Sequence, residues 1–376
     1  MARRGNGEGT IFKAKDGRWV ALVDLGYGTG RRRRKALYAT TRREVQERLT
    51  ATLRAQAQGL PIGSDRQTVA DFLARWLEVA RTSVRPRTWD RYEQYVRVHA
   101  LPRLGRVPLA GVTPEHLQSL YAARLAAGSA PLTVAHLHAV LHRAFGQAER
   151  WGLLPRNPAT LVDAPRGPRR EMATLTPEQS RALIEASKGD RLGALYVVGI
   201  TTGMRQGELL ALRWRDMDLE GGMAQVRGTM QRTRDGLAAA EPKTERSRRN
   251  VALTQTAVAA LRRHRAVQLE ERLRLGAVWE DNDLVFANEI GAPIEASNLL
   301  RRSFRPLLIR ADVPSIRFHD LRHTAATLML GRGVHPKIVS EMLGHAQVAT
   351  TLDLYSHVTP TMQREAAATL DAVLGG

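Results

Sequence analysis

The chain is 376 residues long, and its 57 lysines and arginines against 37 aspartates and glutamates leave a net charge of +20, with no cysteine. Two or three domains fit that length; the missing thiols exclude a disulfide framework and a thiolate metal site, and no apolar run approaches a spanning helix or a signal-peptide core. A charge of this sign and size points to a polyanion, nucleic acid ahead of a membrane surface, since arginine-rich coding bias need not unbalance the charges this far. The expectation is a soluble, cytoplasmic protein, nucleoid-associated when it holds DNA.

Residues 9–40 contain three strand-like runs, GTIFKAK, RWVALVDLG and RRRRKALYAT, with Asp16-Gly17 as a tight turn between the first two. A helix follows from about Thr41, its Val45, Leu49 and Leu53 spaced four apart and Gly59 as its stop. One helix on three strands buries little core, so a marginal module is expected over residues 1–63. The run Arg31, Arg32, Arg33, Arg34 and Lys35 lies on a strand near Trp19 and Tyr27. It reads as a DNA contact ahead of a solvated hairpin tip. Leu60 to Ser64, LPIGS, reads as a linker.

A helical domain is expected over residues 64–165. Thr68 caps a helix whose Val69, Phe72, Leu73, Trp76, Leu77 and Ala80 share one face. A second helix starts near Pro86, a third at Thr113-Pro114-Glu115, and a fourth from Thr133 with Val134, Leu137, Leu141, Ala144, Phe145 and Ala148 on one side. Four such helices make a small bundle. On its polar faces Arg85, Arg87 and Arg91 are candidate phosphate contacts, whereas His136, His138 and His142 read as exposed or core-satisfied side chains. Asn157-Pro158 and the run DAPRGPRRE form a connector, where a hinge would let two domains close on a duplex.

The last domain is expected over residues 166–376. Thr176-Pro177-Glu178-Gln179 is a capping box with proline at the first helical position. An apolar helix, LGALYVVGITTG, stops at Gly203 and delivers Arg205 and Glu208, three apart, so the carboxylate can brace the guanidinium. MAQVRGTMQ and RRNVAL read as strands of a small antiparallel sheet, and Asp235-Gly236 as a turn. Lys243 is the only lysine between Lys188 and Lys337. Amid arginines, which stay protonated, its ammonium can surrender a proton. Residues 255–275 make a charged helix, DLVFANEIGAPI a strand and turn, and SNLLRRSFRPLLIRA a further helix.

Within Arg317–Val358, His319 and Arg322 lie three apart on one helix face. Val334-His335-Pro336 opens a helix carrying Ile338, Val339, Met342 and Leu343, which Gly344 stops just before His345. Thr350 or Thr351 then caps a short helix bearing Tyr355, and Thr359-Pro360 opens a last one with a stripe of Met362, Ala366, Leu370 and Leu374. Such a set suits an anion held by cations and attacked by a phenol.

TTGMRQGELLALRW, then HDLRHTAA, LGHA and TTLDLYSHV in this order, resemble the two conserved boxes of the tyrosine recombinase (phage-type integrase) family. The resemblance implies a mainly α, multidomain fold with small antiparallel sheets: an arm-site-binding module, a helical core-binding domain and a mixed α+β catalytic domain. It makes Tyr355 the nucleophile, with Arg205, His319, Arg322 and His345 around the scissile phosphate, Glu208 in support, and Lys243, in a run resembling the family's hairpin, as general acid. Site-specific recombination through a 3′-phosphotyrosyl link is implied, needing no cofactor or metal ion. Double-stranded attachment sites, a homotetramer joined by the tail helix, and a host DNA-bending protein and excision factor are its implied partners. Two rivals stand beside it. One is a helix-turn-helix repressor built on VSEMLGHAQVATTLDLY. The other is a hydrolytic metal site on His319, His323, His345 and His357, which the flanking arginines disfavour. A type IB topoisomerase would share the adduct but not the paired sites.

Overall fold

The structure is a computed structural model in which residues 10–28, 31–57, 67–167, 172–233, 236–240, 248–344, 348–354 and the helical residues 367, 368, 370–372 and 374 are described. The chain divides into two compact units, Met1–Arg169 and Arg170–Gly376. It is mainly helical with small antiparallel sheets, the expected fold class.

The first unit opens with β1 (Thr10–Lys13), β2 (Trp19–Gly28) and β3 (Arg31–Ala39), an antiparallel sheet in that order. Gly17, at φ 85°, makes the turn between β1 and β2 in a conformation that a side chain resists. A bulge interrupts the pairing of β2 with β3 between Asp24 and Tyr27. Helix α1 (Arg42–Ala57) lays Val45 and Leu49 on Ala21, Val23, Leu37 and Ala39, a core as small as the strand count implies.

Helices α2 (Val69–Ser83), α3 (Pro86–Gln94), α4 (Leu101–Leu104), α5 (Pro114–Ala126) and α6 (Pro131–Arg150) form the bundle, and a π-helical turn at Tyr95–Ala100 joins α3 to α4. The expected caps hold. Thr68 and Asp71 cap α2 reciprocally, and all six apolar residues read from its period are buried. All six on α6 are buried as well. At α5 the cap differs from a simple threonine: the His116 ring Nδ1 accepts from the Thr113 N–H at 3.2 Å.

In the second unit α7 (Pro177–Ala186) begins at the Thr176–Gln179 capping box. Helix α8 (Gly193–Thr202) is buried on nearly every side, as its continuous apolar run requires, and packs on α10 (Gln255–Leu275) and α13 (Asp320–Leu330). Gly203 ends α8 at φ 65°, and a methyl group there would collide with Leu343. Backbone conformation and tight packing both demand glycine at this position. Between α8 and α10 lie α9 (Gln206–Leu209), β4 (Met217–Asp218), β5 (Met223–Val226), β6 (Thr229–Thr233), β7 (Gly236–Ala240) and β8 (Arg249–Ala252). Helices α11 (Ala296–Leu299), α12 (Arg305–Arg310), α14 (Pro336–Leu343) and α15 (Val348–Leu354) complete the unit.

Three expectations need correction. MAQVRGTMQ is not one strand: it breaks at Arg227-Gly228 into β5, which pairs with β4 and β8, and β6, which forms a separate hairpin with β7. DLVFANEIGAPI makes only isolated bridges. There the carbonyls of Leu284 and Val285 are taken by the Gln268 side chain, and that of Val285 also by His264, so side chains stand where a partner strand would. Helix α15 starts at Val348, so Thr350 and Thr351 lie inside it, with Thr351 fully buried instead of capping. Of the tail stripe, Met362 and Ala366 fall outside the described residues, while Leu370 and Leu374 are helical and exposed.

Candidate active site

Two of the expected residues, Arg205 and Arg322, meet at the C-terminal end of α14. His335 caps the other end, its ring Nδ1 accepting from the Lys337 N–H at 3.2 Å, with Pro336 at the first helical position. Val339 and Leu343 point into the core. Gly344 then leaves the helix at φ 69°, so the final carbonyls face outward without intrahelical donors.

Arginines supply those donors. Arg322, on α13 and 2% exposed, donates from Nη1 to Leu343 O at 2.6 Å and to Gly203 O at 2.9 Å. Arg205, at the start of α9, donates from Nη2 to Gly344 O at 3.1 Å and from Nη1 to Glu208 Oε1 at 2.7 Å. The anticipated brace is real: Glu208 also accepts the Arg205 backbone N–H at 2.9 Å, the carboxylate half of a capping box. Arg205 remains 39% exposed whereas Glu208 is 6% exposed, so the cation reaches solvent and its carboxylate does not. Burial alone would raise the Glu208 carboxyl, but hydrogen bonds and charge from Arg249 and Arg205 outweigh it and hold the group below its ordinary value.

His319 occupies the N-cap position of α13, one residue before the helix proper. The turn beneath it is fastened by Asp320, whose buried carboxylate accepts from the Arg317 backbone N–H at 2.7 Å and from Arg317 Nη2 at 2.7 Å. One turn on, the Thr324 hydroxyl donates to Asp320 O at 2.9 Å and accepts from the Leu175 N–H at 3.0 Å, tying α13 to the segment before α7. The His319 and His323 rings meet edge to face at 5.0 Å. Desolvation, then the neighbouring His323, Arg322 and Arg205, push His319 down to about 4. It is therefore neutral at pH 7, with a lone pair available.

The same shift links folding to pH. His319 is depressed in the folded state, so between its unfolded value of about 6.5 and about 4 the unfolded chain binds more protons. Its contribution is present above that window and is lost as pH falls through it. His323, His264, His99, His136 and His138 are lowered too, each by burial first. Urea unfolding midpoints should hold at pH 7.5, drop between pH 6.5 and 4, and drop less steeply in His319→Gln; a flat profile in the parent protein would contradict the buried-imidazole geometry.

Lys243, His345 and Tyr355 lie outside the described residues. In the first unit Arg85 and Arg87 are exposed. Arg91 is engaged: its Nη2 donates to His136 Nδ1 at 2.6 Å and its guanidinium lies 5.7 Å over the Tyr95 ring. His138 Nδ1 is 3.2 Å from the Tyr121 hydroxyl, which with the His136 bond matches the core-satisfied reading of these histidines. Arg34 is exposed and Lys35 half-buried on β3, and the side chains of Arg31, Arg32 and Arg33 fall outside the described residues. Among the described residues no three histidines, aspartates or glutamates gather as metal ligands, and no helix is long and apolar enough to cross a membrane.

One residue of the cluster went unnoticed in the sequence. Arg249, the first residue of β8, has a side chain only 8% exposed, which donates to Glu208 Oε2 at 2.9 Å and to Met342 O at 2.7 Å. The alternation of β8 held the signal, since Arg249 shares a face with the buried Val251.

Comparison with known proteins decides the family. The Phage integrase family profile matches residues 173–362, and the phage integrase N-terminal SAM-like domain matches residues 68–124. A tyrosine recombinase XerC-like protein of Caldanaerobacter subterraneus is 33% identical over 95% of this chain and 97% of its own. This chain belongs to the phage integrase family. The ICEBs1 integrase of Bacillus subtilis is 26% identical over 97% of this chain and 100% of its own. Among solved structures, the Tn1549 transposon integrase in complex with transposon right end DNA shares the fold at a TM-score of 0.67 and 22% identity, covering 82% of this chain and 100% of that one. A lambda integrase tetramer bound to a Holliday junction follows at 0.56 and 18%, covering 93% and 96%. The integrase is thus a tyrosine-type site-specific recombinase, and no comparison favours the repressor reading.

Proposed function

We propose that this integrase integrates or excises a phage or mobile element by cutting and rejoining double-stranded attachment sites. The catalytic set is Arg205, Lys243, His319, Arg322, His345 and Tyr355, with Glu208 supporting Arg205. The observation that carries it is the pair of guanidiniums, from α9 and α13, anchored on adjacent carbonyls of Leu343 and Gly344 immediately ahead of His345.

A phosphodiester repels nucleophiles by its own charge. Arg205 and Arg322 offset the charge that grows on the non-bridging oxygens, with His345 donating to the same oxygens. The Tyr355 hydroxyl bonds to phosphorus as its proton passes to neutral His319, the P–O5′ bond breaks, and Lys243 delivers a proton to the departing oxygen. Burial is the main cause that depresses His319; a bound phosphate anion offsets the smaller contribution of Arg322 and Arg205 and so strengthens it as a base. The 3′-phosphotyrosyl link keeps the energy of the broken bond, so religation requires neither nucleotide nor metal ion.

Residues 1–63 serve here as an arm-site module with Arg31, Arg32, Arg33, Arg34 and Lys35 toward DNA, residues 64–165 as the core-binding domain with Arg85, Arg87 and Arg91, and residues 166–376 as the catalytic domain. Four copies act together, joined by the tail helix, in the cytoplasm with a host DNA-bending protein and an excision factor. Incubation with a nicked suicide substrate, with and without EDTA, followed by a denaturing gel, tests the reading. A covalent complex equal in both lanes is expected; cleavage that EDTA abolishes would assign the chemistry to a metal.

A further inference from the structure

Three consecutive carbonyls at the end of α14 each receive a guanidinium from a different segment. Arg249 Nε donates to Met342 O at 2.7 Å, Arg322 Nη1 to Leu343 O at 2.6 Å, and Arg205 Nη2 to Gly344 O at 3.1 Å. These are the carbonyls that a helix end leaves without partners and where its dipole is negative. Two of the three arginines belong to the proposed phosphate site. The third is buried behind it.

Arg249 also shares the Glu208 carboxylate with Arg205. Its Nη2 reaches Oε2 at 2.9 Å and its Nη1 reaches Oε1 at 3.3 Å, while Arg205 holds the same two oxygens through its backbone N–H and Nη1. Two guanidiniums on one carboxylate leave a net positive charge. Without Arg249 the carboxylate would be left to Arg205, neutralising the cation and drawing it inward. The Arg249 guanidinium further lies against the backbone from which His345 emerges: a methyl group on Gly344 would stand 2.9 Å from its Nη1.

We propose that Arg249 is a positioning residue for DNA cleavage: by bridging Glu208 to the Met342 carbonyl at the C-terminal end of α14, it keeps Arg205 turned toward the phosphate and steadies the backbone at Gly344. A planar fork with five donors suits this task, and a lysine ammonium cannot span carboxylate and carbonyl in the same way. This role rests on the phosphate site proposed above, and its test separates the two.

Covalent-complex formation is timed for the full-length parent, Arg249→Gln, Arg249→Lys and Arg205→Gln, on suicide DNA carrying either the natural phosphodiester or a methylphosphonate at the scissile position. The methylphosphonate lacks the negative charge that Arg205 offsets. Arg249→Gln should slow phosphodiester cleavage by roughly tenfold to a hundredfold, the scale of a misplaced catalytic group, and lower the phosphodiester-to-methylphosphonate rate ratio as Arg205→Gln does. Arg249→Lys keeps the charge and should fall between parent and Gln, which preserves the test if the Gln variant folds poorly. An unchanged ratio in both Arg249 variants, whether through equal loss on both substrates or no loss, overturns the inference. A parental ratio in Arg205→Gln overturns the phosphate site itself.

Discussion

Tyr355→Phe should form no covalent complex on suicide DNA, a loss of at least about 10³-fold, because the variant lacks the one oxygen proposed to bond phosphorus. Deleting a hydroxyl leaves the guanidinium cluster at α14 intact, so affinity for a core site and the urea unfolding midpoint should stay with the parent protein. That separation of binding from bond-breaking is the signature of a nucleophile. Strand joining by Tyr355→Phe at the parental rate would remove the phenol from the chemistry and leave only a DNA-binding scaffold.

Arg322→Ala should fail on both counts. Its guanidinium is 2% exposed and supports the carbonyls of Gly203 and Leu343, so alanine leaves two buried acceptors without that donor. A loss of about 1–3 kcal/mol for each carbonyl puts the decrease in unfolding free energy at about 2–6 kcal/mol. Cleavage should fall by about 10²–10³-fold or more, the cost of removing a charge-stabilising donor. Arg322→Lys should regain part of the stability and less of the rate, since a point charge cannot serve two carbonyls and a phosphate oxygen together. If Arg322→Ala unfolds at the parental urea concentration, the guanidinium is not the strut that joins α8, α13 and α14.

Much of this fold was legible in the amino acids because its decisive signals are local. The cap at Thr68, the capping box at Thr176 and the glycine stops at Gly203 and Gly344 each depend on a few neighbouring residues, and each stands where it was read. The apolar stripes of α2 and α6 follow from one helical period. Signals failed where a distant group intervened. The 283–294 segment has strand-like composition, but Gln268 and His264 of α10 occupy the carbonyls of Leu284 and Val285, and it makes only isolated bridges. Thr351 has the chemistry of a cap, yet burial inside α15 overrides local preference.

The candidate site divides in the same way. Residue type and spacing by themselves paired Arg205 with Glu208 as a cation and its brace, and set His319 beside Arg322 as a pair suited to holding an anion, because each pair lies within a single turn of backbone. The phosphate role of Arg205 came from the family resemblance. Only the tertiary structure decided that Arg205 and Arg322 close on one helix end, that a strand residue, Arg249, backs them, and that His319 is held neutral. Those outcomes depend on burial and on charges brought together from segments far apart in the chain, and neither quantity exists until the chain has folded.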